Sequence, residues 1–245
     1  MKSELGFACS VLTIAFLNSE SAAATFSDST FNLADYTITK SLQAGTATVS
    51  QSANGGNPGS AMEVDYVVPP GPAFTNTFGA VYFLNNAFTY EPGASGALTS
   101  ISWSIDKKVT IVKPANLGLV NGQTFLISQG GSFYAAAVGL PGVIGTYITA
   151  SITTLSSDFS LVTDMATGAV NSALHPSFSA GAMAFGFRNG YGIGPQIDLE
   201  SLLFQDNFNV TLTPAVAPVP EPGTYALMLA GLGVLSWSSR RRGQT

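Results

Sequence analysis

Ser100-Ile101-Ser102-Trp103-Ser104-Ile105-Asp106 alternates strictly, so Ile101, Trp103 and Ile105 share one face of an extended chain and the serines the other. Side chains on a strand alternate with a period of two, and this pattern marks a strand with one buried face. Ala61 to Val68 is a second such stretch and stops at Pro69-Pro70-Gly71. Further β-branched or aromatic runs occupy 46–50, 77–83, 108–112, 124–128, 145–153, 181–188 and 207–213. Turn-forming clusters lie between them: 53–59, Glu91-Pro92-Gly93, 120–123, Gln129-Gly130-Gly131 and 189–192. Asn121-Gly122 carries the signal of a two-residue hairpin turn. Short helical turns are expected only at 157–160 and within 164–174. Roughly a dozen short strands at such spacing predict an all-β fold, two antiparallel sheets packed as a jelly-roll-like sandwich. No fixed repeat supports a β-helix.

The two ends break this pattern. Met1 to Ala24 has Lys2 near the start, an apolar stretch from Leu5 to Leu17, and Ala22-Ala23-Ala24 before Thr25. That is the layout of a secretory signal peptide, although Glu4 weakens its charge asymmetry. The single cysteine, Cys9, falls inside it without the leucine that a lipoprotein cysteine requires three residues earlier. The exported chain therefore has no thiol and no disulfide, and its stability rests on core burial and sheet pairing.

At the other end, Pro218 to Gly223 is too proline-rich for helix or central strand. An apolar run follows, then Arg240, Arg241 and Arg242, a cationic stop retained on the cytoplasmic side. The expected transmembrane helix, 225–239, would span about 22 Å, short of the roughly 30 Å hydrocarbon core. It suits a transient anchor. Val219-Pro220-Glu221-Pro222, the apolar helix and the arginine tail together resemble the PEP-CTERM sorting signal of Gram-negative bacteria. The resemblance implies transit across the inner membrane and recognition by exosortase, a membrane enzyme that processes such proteins near Pro-Glu-Pro. It further implies delivery to the cell surface, outer envelope or extracellular matrix. The expected organisation is a signal peptide over 1–24, a β-sandwich domain over 25–217 and the sorting signal over 218–245.

Composition sharpens this picture. With 46% hydrophobic and 9% charged residues, the 245-residue chain is not of the disordered class. Within 25–217, five cations face eleven anions, a net charge of −6 with no basic cluster. Phosphate recognition needs clustered Lys and Arg, so nucleic acid is not an expected partner.

Leu203-Phe204-Gln205-Asp206-Asn207-Phe208-Asn209-Val210-Thr211-Leu212 resembles the closing strand of concanavalin-A-like and carbohydrate-binding jelly rolls. The blocks 56–64 and 96–106 resemble other strands of those domains. The resemblance implies a structural Ca²⁺ with Asp206 as a ligand, and Asn207, Asp35 and Asp198 as helpers. The alternative is that Asp206 caps or hydrogen-bonds a neighbouring loop. Extracellular polysaccharide is the partner that such a body implies.

The search for catalytic chemistry finds fragments. Glu63 and Asp65 point to one face of a strand, as paired glycosidase carboxylates do. In laminarinase-type jelly rolls a third acid follows, but Val68 stands there, so the motif is broken. His175 is the only histidine, too few for a multi-histidine zinc site, and no Gly-x-Ser-x-Gly elbow accompanies it. Gly190-Tyr191-Gly192-Ile193-Gly194 lacks the helix a phosphate loop needs. Trp103 belongs to a core face, and Phe78, Tyr82, Phe83, Phe88 and Tyr90 crowd one region without defining a sugar platform. Two classes stay open: a non-catalytic exported protein acting in adhesion or glycan association, and a secreted glycoside hydrolase or lyase on a jelly-roll scaffold.

Overall fold

The computed structural model describes residues 23–114, 121–138, 144–215 and 228–233. Ala22–Ala215 forms one compact unit, and 228–233 lies outside it. Most of the expected signal peptide, the Pro-Glu-Pro motif and Arg240–Arg242 lie outside the described residues. Of the expected transmembrane helix, 228–233 is described and is helical. Among the described residues no helix is long and apolar enough to cross a membrane.

The body is the expected all-β sandwich. Its strands are β1 (Ala24–Asp28), β2 (Tyr36–Leu42), β3 (Thr46–Gly56), β4 (Gly59–Val68), β5 (Thr77–Tyr90), β6 (Leu98–Lys113) and β7 (Asn121–Gln129). They continue with β8 (Ser132–Ala137), β9 (Ile148–Thr154), β10 (Ser160–Asp164), β11 (Ala169–Asn171), β12 (Met183–Ile193) and β13 (Leu199–Pro214). One sheet runs β3-β4-β13-β6-β9, with β1 joined to the far half of β13; the other runs β11-β10-β8-β7-β12-β5-β2. The pairings are antiparallel throughout.

Several local expectations need correction. The runs 100–106 and 108–112 are one continuous strand, β6. Asn121-Gly122 is no hairpin turn: it opens β7, paired with Tyr191 and Gly190. The 189–192 cluster lies inside β12, where glycine makes room for neighbours rather than turning the chain. A Cβ on Gly192 would sit 3.0 Å from the Phe78 ring. A two-residue hairpin loop is instead found at Gly130-Gly131 between β7 and β8, with φ of +60° and +78°. The stretch after Asp164 is a turn leading into β11, because Asp164 Oδ1 accepts the Ala166 and Thr167 amides and reverses the chain.

Between the sheets the interior has two characters. One half is aromatic: Trp103 stacks on Phe125 at 5.2 Å, Phe185 meets its edge at 5.6 Å, and Phe187 meets Phe208 at 5.0 Å. The Trp103 indole N–H donates to Thr154 Oγ1 at 2.9 Å, so its one polar atom is satisfied. The other half is polar. Gln205 Nε2 donates to Gln123 Oε1 and Asn189 Oδ1, both at 3.0 Å, and the Tyr66 hydroxyl donates to the Asn189 carbonyl. Lys107, only 1% exposed, donates to the Asn121 carbonyl at 3.1 Å.

Burial penalises the charged form of Lys107 and lowers its pKa from 10.5 to about 7. Below about 7 both folded and unfolded chains hold the proton, and the folded state bears the full cost of a buried charge. Between about 7 and 10.5 only the unfolded chain keeps it, so stability should climb with pH across that window. Urea midpoints measured in halide-free buffer from about pH 6 to pH 10 should rise, and Lys107→Met should flatten the rise. A flat wild-type profile would contradict the burial argument.

Candidate functional site

Along β12 the inward side chains are Phe185, Phe187, Asn189 and Tyr191, so Arg188 points to the outer face of the seven-stranded sheet. Its register partners are Tyr82 on β5 and Thr124 on β7, and Thr124 is in turn opposite Ala137 on β8. The guanidinium carbon lies 5.6 Å from the Tyr82 ring centre, and Nε donates to the Tyr82 hydroxyl at 3.1 Å. That hydroxyl donates onward to the Met165 carbonyl at 2.8 Å. The relay ties the turn between β10 and β11 down onto the sheet, where Met165 and Ala135 pack against Ala80, Tyr82 and Leu126.

Two glycines make this placement possible. A Cβ on Gly168 would lie 2.6 Å from Arg188 Nη2, and one on Gly190 would lie 2.8 Å from it. Any larger residue would push the guanidinium out of position. Beside it is a cavity of about 260 Å³, lined by Thr124, Ala135, Ala137, Ser160, Val162 and Val170, with Arg188 and Asp158 supplying its charges.

Among the described residues Arg188 has no ion-pair partner, and the salt bridge is Lys113–Glu200, at 3.4 Å on the other sheet. Asp158 accepts the Leu155 amide through Oδ2 at 2.7 Å. Asp164 is held below the usual carboxylate range chiefly by the Thr167 and Ala166 amides, with Arg188 adding less. Burial raises the Tyr82 phenol, and the Arg188 charge works against that rise. The cleft thus offers N–H donors, a carboxylate acceptor, hydroxyls and a small aliphatic floor. Those are the groups that hold a neutral, hydroxyl-rich ligand.

The residues singled out from the sequence lie elsewhere. Glu63 and Asp65 share the outer face of β4 in the six-stranded sheet, on the side of the sandwich away from the cleft. Asp65 is raised by burial and then by the Glu200 charge. His175 sits in a loop, its Nδ1 donating to the Phe159 carbonyl at 2.5 Å. Phe83, Phe88 and Tyr90 are core residues, whereas Tyr82 is buried on the outer face of the seven-stranded sheet with Ala80 and Leu126. Arg188 had one sequence signal: a lone cation near Gly186 and Gly190, out of phase with Phe185 and Phe187.

Residues 218–242 match the family model of the PEP-CTERM protein-sorting motif. The chain carries a PEP-CTERM sorting motif. Such a motif marks an exported protein sorted by exosortase. No curated protein matches the sequence. In structure, the body resembles the family 11 carbohydrate-binding module of the cellulosomal cellulase Lic26A-Cel5E of Clostridium thermocellum, at 12% identity and a TM-score of 0.43. That similarity covers 80% of this chain and 98% of the module. It also resembles the CBM22-1 xylan-binding domain of Paenibacillus barcinonensis Xyn10C, at 11% identity over 83% and 100% of the two chains, TM-score 0.35. Peanut lectin is similar at 14% identity over 79% and 100%, TM-score 0.39. What those proteins bind is a property of those proteins.

In the body that the PEP-CTERM tail accompanies, Asp206 is fully buried beside a β-bulge between Asp206 and Asn209. Its Oδ2 accepts the Asn57 amide at 2.5 Å and its Oδ1 the Asn207 amide at 2.7 Å. Asn207, at φ +52°, donates its side-chain amide to Asp106 Oδ2 and the Asn57 carbonyl, both at 2.9 Å. Calcium requires six to eight converging oxygens, but N–H groups aim at both oxygens of Asp206. Among the described residues no group of three or more His, Cys, Asp or Glu converges. The donor set does not fit the calcium site that the jelly-roll resemblance implied; it fits an anchor for the 56–59 turn. Asp206→Ala should cost about 1–3 kcal/mol by leaving buried amides without an acceptor. Calorimetry should show that loss, and chelator should leave the wild-type melting temperature unchanged.

Proposed function

We propose that this is a non-catalytic exported protein that associates with extracellular polysaccharide at the cell surface, with the Arg188 cleft as its glycan site. The observation that carries the reading is the guanidinium lying close against Gly168 and Gly190, without a carboxylate partner among the described residues, beside an open cavity. At about 260 Å³ the cavity is smaller than the ~300–1,000 Å³ of typical ligand pockets, a size suited to one sugar unit. Arg188 would donate to ring or hydroxyl oxygens, Asp158 would accept from hydroxyls, and Val162 with Ala135 would contact the apolar edge of the ring.

The hydrolase alternative draws less support. Glycoside hydrolysis needs two carboxyl groups on either side of the bond. The cleft is lined by one, Asp158, and the nearby Asp164 is committed to the Ala166 and Thr167 amides.

Export supplies the setting for this chemistry. The signal peptide over 1–24 would start translocation, and Val219-Pro220-Glu221-Pro222 with Arg240–Arg242 would hold the chain for exosortase. Removal of the tail would then free the body, 25–217, for the surface or matrix.

Two measurements test the parts separately. Processed protein recovered from the cell surface should cosediment with the host's own exopolysaccharide, and Arg188→Ala should weaken binding about tenfold or more. Equal binding by the variant would remove the cleft from the function. Replacing Pro220, Glu221 and Pro222 with alanine should trap the full-length chain in the membrane fraction. Release at normal size would refute exosortase handling.

A further inference from the structure

The polar half of the inter-sheet space is chemically unbalanced. Lys107 comes from β6, Asn121 and Gln123 from β7, Asn189 from β12, and Ser201 and Gln205 from β13, all at most 3% exposed. Asn121 Nδ2, Gln123 Nε2 and Asn189 Nδ2 are buried without an acceptor, and so is the Ser201 hydroxyl without a partner. The Lys107 ammonium has three N–H groups and one acceptor, the Asn121 carbonyl. Against these donors stand two unused acceptors, Asn121 Oδ1 and Gln205 Oε1.

Among the described residues no carboxylate balances the charge. Asp106 and Lys108 flank Lys107 on β6 and face the other side of that sheet. From β4 the inward group is the Tyr66 phenol, which burial keeps protonated and which donates to Asn189. A buried charge is normally paired or neutralised, and a buried N–H without an acceptor costs about 1–3 kcal/mol. Water, which donates as often as it accepts, would leave the excess of donors in place. An occupant that only accepts, and is negative, would satisfy both.

We propose that this space binds a small inorganic anion of the halide class, with the Lys107 ammonium as counter-charge and the Gln123, Asn189 and Asn121 amides as donors. The site lies inside the sandwich, separate from the Arg188 cleft, and does not depend on the glycan reading. Its occupant stabilises the fold when Lys107 is protonated and loses its hold when Lys107 is neutral.

The exported chain should be melted at about pH 6 in sodium chloride and in sodium gluconate, each raised from about 10 to about 300 mM. Chloride should raise the melting temperature by about 3–6 °C more than gluconate. The difference should vanish in Lys107→Met and near pH 9.5, above the folded-state value of about 7 for Lys107. Equal melting in the two salts, or a difference that survives in the variant, overturns the proposal. If the variant fails to fold, crystals of the wild-type protein soaked in bromide decide the matter. An anomalous peak within about 3.5 Å of Lys107 Nζ is expected; peaks at the surface alone, an adventitious ion only, or ordered water in that space overturn it.

Discussion

The six-stranded sheet depends on one local irregularity, the bulge at Asp206–Asn209 in β13. Before it the inward residues are Leu199, Ser201, Leu203 and Gln205; after it they are Phe208, Val210 and Leu212. The inward positions change from odd to even. Without the extra residue, one half of this 16-residue strand would present its apolar side to solvent. Asp206 holds the bulge through the Asn57 and Asn207 amides, and Asn207 ties it to Asp106 on β6. The bulge also separates the strand's two neighbours: β4 pairs with the first half and β1 with the second.

The same re-phasing accounts for the divided interior. The far half of β13 brings Phe208 against Phe187, and through Trp103 and Phe125 the two sheets share one aromatic layer. The near half brings Gln205 beside Lys107 and opposite Gln123 and Asn189. Aromatic burial supplies the driving force for packing. The polar layer opposes it wherever its donors lack acceptors, so stability responds there to pH.

On the outer face of the other sheet, the constraint is steric. Arg188 can lie along the sheet because Gly168 and Gly190 present no side chain to it. Tyr82 then takes its Nε–H and passes a hydrogen bond to Met165, which brings the β10–β11 turn over the sheet and gives the cleft its wall. The placement of Arg188 and the position of the loop thus share one aromatic ring. The PEP-CTERM tail stands apart from this arrangement, because its information is a linear order of proline, apolar and basic segments.

Much was legible in the chain itself. Alternation in 100–106 and 61–68 placed Trp103, Ile105 and Val64 in the core, since a period-two pattern needs no partner to be read. The sorting motif was legible for the same reason: its function lies in local order. Glycine was the point of failure. At 121–122 and 189–192 it mimicked turns, although its use there was space within or between strands, which depends on side chains distant in sequence. Asp206 likewise had two local readings, and only the approach of Asn57, 149 residues away, decided between them. The sequence by itself determined the all-β class, the buried faces of its clearest alternating strands, the absence of disulfide stabilisation and the sorting motif. Tertiary structure alone placed Arg188 beside Tyr82 and Gly168 and gathered the polar layer around Lys107, because those contacts join segments that no local pattern relates.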